Sequence, residues 1–521
     1  MPLMRAVLVM AAAAGAAAPV PPANPYESAG TWSPANRIDE LVAEQCAKQG
    51  IQPAKLCSDA VFVRRVYLDV IGTIPAPFET QDFLASRDPK KRAALIDRLL
   101  EKDQFADYWA MKWSDLLRVK AEFPINLWPN AAQAYHHWVR TCIRENVPYT
   151  RFVRDLLTAS GSNFREPPAN FYRALQNREP EGLAQAVALT FMGTRADKWP
   201  TNQLGGMAVF FSRIGYKATD EWKEEIVFFD PRATNRAAGR EAVFPDGTRA
   251  RLGPDQDPRE VFADWLIDPK NPWFTRNIAN RVWSWLLGRG IIQEPDDIRP
   301  DNPPSNPQLL ALLEKELIGA NYDLKQLYRL ILNSKTYQLA STASGGQADA
   351  GANFAAYPVR RLEAEVLIDA IDQITAGTEK YSSAIPEPFT YIPEDHRSIA
   401  LPDGSISSSF LELFGRSPRA TGLESERNNR LTAAQSLHLL NSTHIQRKIE
   451  QSRMVDFQTQ PGKTPRQVAG GMYLVILCRY PTEAELRTVE GYFESGKVTR
   501  RQAAVDVAWA LINSPEFLYR H

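Results

Sequence analysis

A dense acidic loop, residues 294–307 (EPDDIRPDNPPSNP), holds the side chains of the sequence best suited to chemistry. Asp296, Asp297 and Asp301 place three carboxylates in a segment stiffened by proline, and carboxylate oxygens are ligands that Ca²⁺ prefers. The spacing of an EF-hand is missing, however, and arginines flank the loop, Arg281 among them. We therefore expect helix caps, turns and arginine pairs, and we predict no metal site. Calcium binding is the alternative.

Glu394 and His396 belong to a second acidic cluster, which reads EDHR. Glycoside hydrolysis needs two carboxylates about 5 to 9.5 Å apart across a cleft. Carboxylates from this cluster or from the acidic loop could fill that role, with Arg281, Arg360 or Arg361 orienting an anionic sugar. A solvated turn is the simpler interpretation of the cluster.

The other reactive residue types form no recognised catalytic or metal-binding pattern. The six histidines lack the spacing of a metal site, and the sequence has neither a G-x-S-x-G elbow nor a phosphate-binding loop. Of the four cysteines, Cys46 and Cys57 are close enough in sequence to bridge a helix to the next loop. We expect one disulfide there, and buried free thiols are the alternative. We predict no cofactor.

Amphipathic helices must position these side chains. Residues 271–319 contain a helix, the acidic loop and a second helix. Asn271 suits the start of the first helix, and Gly288 suits its end because glycine accepts a positive φ. In an earlier predicted helix, Arg65 and Asp69 are four residues apart, which favours a partly buried ion pair.

The charge balance, the hydropathy and the N-terminal segment bear on whether the protein binds nucleic acid, spans a membrane or is exported. Lysine plus arginine equals aspartate plus glutamate at 61 each, so no basic excess attracts nucleic acid. No apolar stretch approaches the roughly 20 residues that span a bilayer, and we predict no transmembrane segment. Residues 1–18 combine a basic start, an apolar run and small residues, a pattern typical of a signal peptide, and residues 19–35 suit a linker. We expect export to the periplasm or the cell surface.

The hydrophobic periodicity predicts a mostly α, multi-helical protein of two domains with a small β-hairpin insertion. The N-terminal helical domain spans residues 36–215 and the C-terminal helical domain spans residues 256–521. Residues 216–255 contain two strand-like runs, with an Asp-Gly pair at 246–247 as a hairpin turn. Residues 377–430 are rich in proline, serine and glycine, so we expect an ordered but irregular segment there.

Several runs, in order along the chain, resemble a known family. They include RRVYLDVIGTIPAP, PYTRFVRDLLTASG, NPWFTRNIANRVWSWLLGRGIIQEPDDIRPDNPPSNPQLL and QSLHLLNSTHIQRKI. With these runs the chain resembles the paired domains of unknown function fifteen-forty-nine and fifteen-fifty-three, found in exported, cytochrome-associated proteins of planctomycetes and acidobacteria. The resemblance implies export and a setting of polysaccharide use, and it implies no established activity.

Two motifs of that family are absent. Its members carry Cys-x-x-Cys-His-x-His after a helix, where this chain reads GTRADKW from Gly193 to Trp199. They also carry Cys-x-Cys-Glu-Arg after an FGR run, where this chain keeps only Glu426 and Arg427. Because the ligands of one site are useful only as a set, we infer that a haem or metal site has been lost and that the two segments meet in space. Independent drift of two loops is the alternative.

Without those motifs or a replacement catalytic set, we expect a redox-inactive binding or scaffold protein. Its partner would be an exported protein or a glycan. A carboxylate-dependent enzyme acting on polysaccharide is the alternative. The candidate pocket residues are Arg281, Asp296, Asp297, Asp301, Arg360, Arg361, Glu394, His396, Glu426 and Arg427.

Overall fold

A computed structural model describes residues 24–233, 241–253, 255–342 and 350–521. The predicted signal peptide, residues 1–18, and the first part of the predicted linker lie outside these residues. Within the described ranges, no helix is both long enough and apolar enough to cross a membrane.

Short helices build the N-terminal part of the chain. The helix Asp59–Ile71 shows how the sequence sets their limits: Ser58 accepts the Val61 N–H at its start, and Gly72 ends it with a φ of 60°. These helices are α1 (Arg37–Lys48), α2 (Asp59–Ile71), α3 (Pro77–Ala85), α4 (Lys91–Leu100), α5 (Asp103–Leu116), α6 (Pro129–Arg144), α7 (Tyr149–Thr158), α8 (Asn170–Arg173), α9 (Pro180–Val187) and α10 (Thr201–Ala208).

Three short strands form a small antiparallel sheet. Its strands are β1 (Gly161–Ser162), β2 (Ile214–Ala218) and β3 (Glu225–Phe229), in the order β1-β3-β2. The hairpin of β2 and β3 confirms the predicted β-hairpin, and residues 219–224 form its turn. The second strand-like run forms only one isolated bridge, within 243–249, around the predicted Asp-Gly turn.

Helices also build the C-terminal part, which confirms the mostly α class. As predicted, a helix precedes the acidic loop and a helix follows it, and Gly288 ends the first with a φ of 70° while Asn306 caps the second. These helices are α11 (Pro258–Ile267), α12 (Phe274–Leu287), α13 (Pro307–Gly319), α14 (Leu324–Leu332), α15 (Ala364–Thr375), α16 (Ser409–Leu413), α17 (Ala433–Asn441), α18 (Thr443–Glu450), α19 (Arg453–Gln458), α20 (Pro465–Ile476), α21 (Glu483–Glu494), α22 (Arg500–Ile512) and α23 (Pro515–Leu518).

The two parts of the chain bury one continuous hydrophobic core. On α2, Arg64 donates to the Ile476 carbonyl oxygen at 3.1 Å, and Arg65 donates to the Tyr337 carbonyl oxygen at 2.7 Å. Backbone carbonyls therefore hold Arg65, and its predicted ion pair with Asp69 does not form. Local spacing favoured that pair, but the carboxylate finds partners in the C-terminal part instead.

The irregular segment 377–430 contains α16 and the 3₁₀ turns Ser398–Ala400 and Glu424–Glu426. Hydrogen bonds tie it to the chain after α5. The Gly404 N–H donates to the Val119 carbonyl oxygen at 2.9 Å, and Asp403 Oδ1 accepts the Ala121 N–H at 2.8 Å. The segment is thus fastened to the N-terminal part although it lies far along the sequence.

The predicted disulfide between Cys46 and Cys57 is wrong. All four cysteines are free thiols, and all are buried. The two thiols face different partners: Cys46 Sγ lies 3.6 Å from the Asn353 carbonyl oxygen, and Cys57 Sγ lies 4.0 Å from Arg92 Nη1. Burial raises the pKa of Cys46 to about 11, so its thiol stays protonated.

Candidate functional site

Arg281, Asp296 and Glu424 form a buried lock beside the acidic loop. Arg281 Nη2 donates to Asp296 Oδ1 at 2.8 Å, and Arg281 Nη1 lies 3.4 Å from Glu424 Oε2. The second Asp296 oxygen accepts the Glu424 N–H at 2.7 Å. Arg281 and Asp296 are each at most 2 % exposed, so neither side chain is free to contact a ligand.

The other two aspartates of the loop contact a different arginine. Arg299 contacts Asp297 at 3.2 Å and Asp301 at 2.9 Å. The three aspartates therefore do not converge. Within the described ranges, no group of three or more His, Cys, Asp or Glu side chains is placed to hold a metal ion.

Loop 294–298 contacts both segments that depart from the family motifs. On one side, the Ile298 N–H donates to the Gly193 carbonyl oxygen at 2.8 Å, and Arg195 Nη2 donates to Glu294 Oε2 at 2.8 Å. On the other, Asp296 binds the turn at Glu424. The loop thus joins the two segments, which were inferred to be close.

A glycine is needed where the first segment begins. Gly193 has a φ of 62°, and a Cβ there would stand 2.6 Å from Asn277 Oδ1 and 2.8 Å from the Pro295 carbonyl oxygen. Residues 193–199 contain neither cysteine nor histidine. The residues present therefore do not fit a thiolate and imidazole ligand set for haem or metal.

Glu426 and Arg427, the two residues shared with the second motif, are structural. Glu426 accepts the N–H groups of Thr421 at 2.8 Å and Ala420 at 3.2 Å, which closes the loop before it. Arg427 Nη2 donates to Asp115 Oδ2 at 2.7 Å. A buried guanidinium makes this position part of the interior, not of a pocket.

An ionic core surrounds Arg427, and we define it as Asp115 on α5, Glu365 on α15, Arg416, Arg419 and Arg427. Arg427 contacts Glu365 at 2.6 Å, Arg419 contacts Asp115 at 3.0 Å, and Arg416 contacts Glu365 at 3.5 Å. Burial opposes ionisation of Glu365, but the neighbouring guanidinium groups outweigh it and lower its pKa to about 2. The cluster fastens segment 377–430 to helices of both parts.

Arg360 and Arg361 also have structural roles. They form β4 (Arg360–Arg361), which pairs with β5 (Tyr519–Arg520). Arg360 donates to the carbonyl oxygens of Trp285 and Leu286 at 2.7 Å, which caps the C-terminal end of α12, and it contacts Asp69 at 3.0 Å. Arg361 donates to the carbonyl oxygens of residues 414, 428 and 429. Neither guanidinium is free to orient a substrate.

The second acidic cluster lies elsewhere. Glu394 is exposed, and His396 contacts the Ala400 carbonyl oxygen at 2.9 Å. His396 lines a cavity of about 780 Å³ together with His136 and His137. Burial, helped by nearby cations, lowers the pKa of His136 to about 3, so this imidazole is neutral. The residues lining this cavity include none of the aspartates of the acidic loop, so the predicted carboxylate pair does not meet there.

Three aromatic side chains that the sequence analysis did not single out meet at the surface, and we call their site the aromatic cleft. The ring centre of Trp128 lies 4.7 Å from that of Trp222 and 5.4 Å from that of Phe389, and the latter two are 5.3 Å apart. Trp222 is 59 % exposed and Phe389 is 40 % exposed. Aromatic side chains grouped and partly exposed at one place form a candidate binding surface.

Trp128 has a strained backbone, with φ 73° and ψ 147°, close to a region that only glycine normally occupies. Such a conformation costs about 1 to 3 kcal/mol and persists only where its surroundings enforce it. The Trp128 N–H donates to the Ala121 carbonyl oxygen at 3.1 Å, and the preceding Leu127 is fully buried. The fold therefore holds this ring at the surface against a local preference.

The hairpin turn 219–224 carries Trp222, and two buried side chains anchor it. Asn163 Nδ2 donates to the Lys223 carbonyl oxygen at 3.1 Å, and its Oδ1 accepts the Glu225 N–H at 2.9 Å. Glu224 accepts hydroxyl hydrogen bonds from Ser162 at 2.5 Å and from residue 219 at 2.6 Å. The turn is thus fixed to β1 and holds the exposed ring in place.

The aromatic cleft adjoins a cavity of about 390 Å³, which we include in it: Trp128 lines this cavity, whereas Trp222 and Phe389 lie outside its lining. The volume is within the range of small-ligand sites. Glu122, Asn126, Arg173 and Lys223 add polar groups to its lining, beside the Trp128 ring. This combination of flat aromatic faces and hydrogen-bonding groups suits a ligand that has an apolar face and polar edges. No periodic pattern in the sequence predicts the cleft, because the three rings come from loops far apart along the chain.

Two family models match the chain. The model described as "Protein of unknown function (DUF1549)" matches residues 37–205, and the model described as "Protein of unknown function (DUF1553)" matches residues 258–493. A search of curated proteins returned no significant match, and neither did a search of solved structures. The aromatic cleft combines both matched ranges, because Trp128 lies in the first, Phe389 lies in the second and Trp222 lies between them.

Replacing Arg427 by methionine (Arg427→Met) should lower the free energy of unfolding by about 3 to 5 kcal/mol, because Asp115 and Glu365 lose a buried partner. The midpoint of urea unfolding, followed by circular dichroism, measures the loss. Arg430→Met is the matched control at an exposed site and should change stability by less than about 0.5 kcal/mol. Equal midpoints for wild type and Arg427→Met would contradict the stabilising role of the ionic core.

The ionic core should also give stability a defined pH dependence. The pKa of Glu365 falls from an ordinary 4.5 to about 2 in the folded protein, so its contribution is complete above pH 4.5 and is lost as the pH falls toward 2. The difference in unfolding free energy between wild type and Glu365→Gln should therefore shrink over this interval. Urea unfolding at a series of pH values measures it, and a constant difference would refute the assignment.

Proposed function

The chain belongs to the proteins that pair these two domains of unknown function, and we propose that it is an exported binding protein that holds a glycan in the aromatic cleft. The observation that carries this proposal is the meeting of Trp128, Trp222 and Phe389 at the surface, with Trp128 in a strained backbone. Strain that the fold maintains at an exposed site is typical of functional positions.

Glycans match the chemistry of this site. One face of a pyranose ring consists of C–H groups, which pack on an aromatic face, while the hydroxyl groups at its edge need hydrogen-bond partners. Glu122 and Asn126 provide such partners in the lining of the cleft. A purely apolar ligand would leave those polar groups unpaired, and this favours a sugar over a lipid.

The carboxylates of the described residues favour a protein that binds the glycan over one that hydrolyses it. Hydrolysis of a glycoside uses two carboxyl groups across the substrate. Among the described residues that line the cleft, Glu122 is the only carboxylate. One of its oxygens already accepts the Ala384 N–H at 3.1 Å and the Ser383 hydroxyl at 3.2 Å, so it also positions the loop that leads to Phe389.

Export is part of the proposal, and residues 1–18 are the segment that would direct it. Expression of the full chain in a Gram-negative host should place the protein in the periplasmic fraction, with a mature N-terminus at or shortly after residue 19. Deletion of residues 1–18 should leave it in the cytoplasm. Fractionation with N-terminal sequencing measures both, and an uncleaved cytoplasmic full chain would overturn this part of the proposal.

The variant Trp222→Ala should weaken glycan binding at least tenfold, because it removes a stacking face worth about 1.4 kcal/mol or more. Isothermal titration calorimetry with a panel of neutral and acidic oligosaccharides measures the effect. Leu437→Ala is the matched control, since it truncates a 57 % exposed apolar side chain on α17, outside the cleft. If no oligosaccharide of the panel binds wild type, the glycan proposal fails and an exported protein becomes the partner to seek.

A further inference from the structure

Lys223 brings an unpaired positive charge into the aromatic cleft. Its Nζ lies 5.2 Å from the ring centre of Trp128 and 5.7 Å from that of Trp222. In the described ranges, no carboxylate lies within ion-pair distance of this ammonium group, and the two aromatic faces are its recorded partners.

The other charged groups of the cleft already have partners. Arg173 contacts Glu225 at 2.8 Å, and Arg178 contacts the same carboxylate at 3.1 Å. Glu122 accepts hydrogen bonds from the Ser383 hydroxyl and the Ala384 N–H, both uncharged groups. Lys223 is therefore the cation of the described cleft lining that has no carboxylate partner. Its positive charge is available to a ligand.

The backbone position of Lys223 is also enforced. Its φ is 64°, in the left-handed region that side chains other than glycine and asparagine seldom adopt. The hydrogen bond from Asn163 to its carbonyl oxygen and the anchored Glu224 beside it fix this conformation. The turn thus presents the Trp222 ring and the Lys223 ammonium together, as one unit.

We propose that the ligand of the aromatic cleft is an acidic glycan, whose carboxylate or sulfate group binds the Lys223 ammonium while a sugar ring stacks on Trp222. This inference rests on the proposed glycan site and adds the class of glycan. A uronic acid and a sulfate ester both place anionic oxygens at the edge of a ring whose face is apolar. An ammonium group between aromatic faces provides the charge-assisted hydrogen bonds for those oxygens.

The experiment compares three probes that differ in charge: a galacturonic acid hexamer, the same hexamer as its methyl ester, and a sulfated galactan oligomer. Titration calorimetry on the full-length mature protein gives each dissociation constant. At least one acidic probe should bind wild type tenfold or more tightly than the neutral methyl ester. That preference should weaken as the salt concentration rises, because salt screens the attraction between exposed charges.

The variant Lys223→Gln should abolish the preference for the acidic probe, so that it binds the acidic probe and the methyl ester with affinities within twofold of each other. Lys497→Gln is the matched control, an exposed lysine in the loop between α21 and α22. The side chain of Lys223 is exposed, so thermal unfolding should be unchanged in both variants. If the galacturonic acid hexamer binds more tightly, the anionic group of the ligand is a carboxylate. If the sulfated galactan binds more tightly, it is a sulfate.

Two failures are distinguishable. Equal affinity of wild type for the acidic and neutral probes, unchanged in Lys223→Gln, would overturn the acidic-glycan inference and leave the glycan site standing. An absence of binding to all three probes, with Trp222→Ala behaving as wild type, would overturn the site itself.

Discussion

Buried guanidinium groups and their carboxylate partners hold this structure together. A charge taken out of water must be paired, since an unpaired buried charge is far more costly than the pair. Arg427 meets that requirement with carboxylates from two helices distant in sequence, Asp115 on α5 and Glu365 on α15. The pairing therefore acts as a geometric constraint: the two helices and segment 377–430 can satisfy their charges only in this one arrangement.

The aromatic cleft lies where segment 377–430 meets the chain after α5, and the ionic core holds that segment in place. Segment 377–430 contributes Phe389, and the chain after α5 contributes Trp128 and Glu122. Hydrogen bonds between Asp403 and the Ala121 N–H, and between Glu122 and the Ala384 N–H, bring the two segments together. A site built from loops is precise only when the loops are held. Here the ionic core and these hydrogen bonds hold the loops, and Glu122 belongs to the lining of the cleft as well.

The helices were predictable from the sequence because their signals are local, as with Gly288 at the end of α12. The partners of the arginines were not predictable, because they are distant in sequence. Arg281 pairs with Glu424. Arg65 is four residues from Asp69 but donates to backbone carbonyl oxygens instead. Aromatic residues on loops carry no periodic pattern. Nothing local foretells the φ of 73° at Trp128, which tertiary contacts impose.

The lock of Arg281, Asp296 and Glu424 explains how the segments at 193–199 and 423–426 keep their places without the family's cysteine and histidine side chains. A buried cation between two carboxylates can tether two loops, and unlike a ligand site it leaves no open position for a substrate. Such a tether stabilises one geometry and does no chemistry of its own. In the aromatic cleft, by contrast, Lys223 faces Trp128 and Trp222 and has no carboxylate partner among the described residues. Because strain and anchoring fix these rings in the free protein, a ligand of the proposed kind would lose little ordering entropy on binding there.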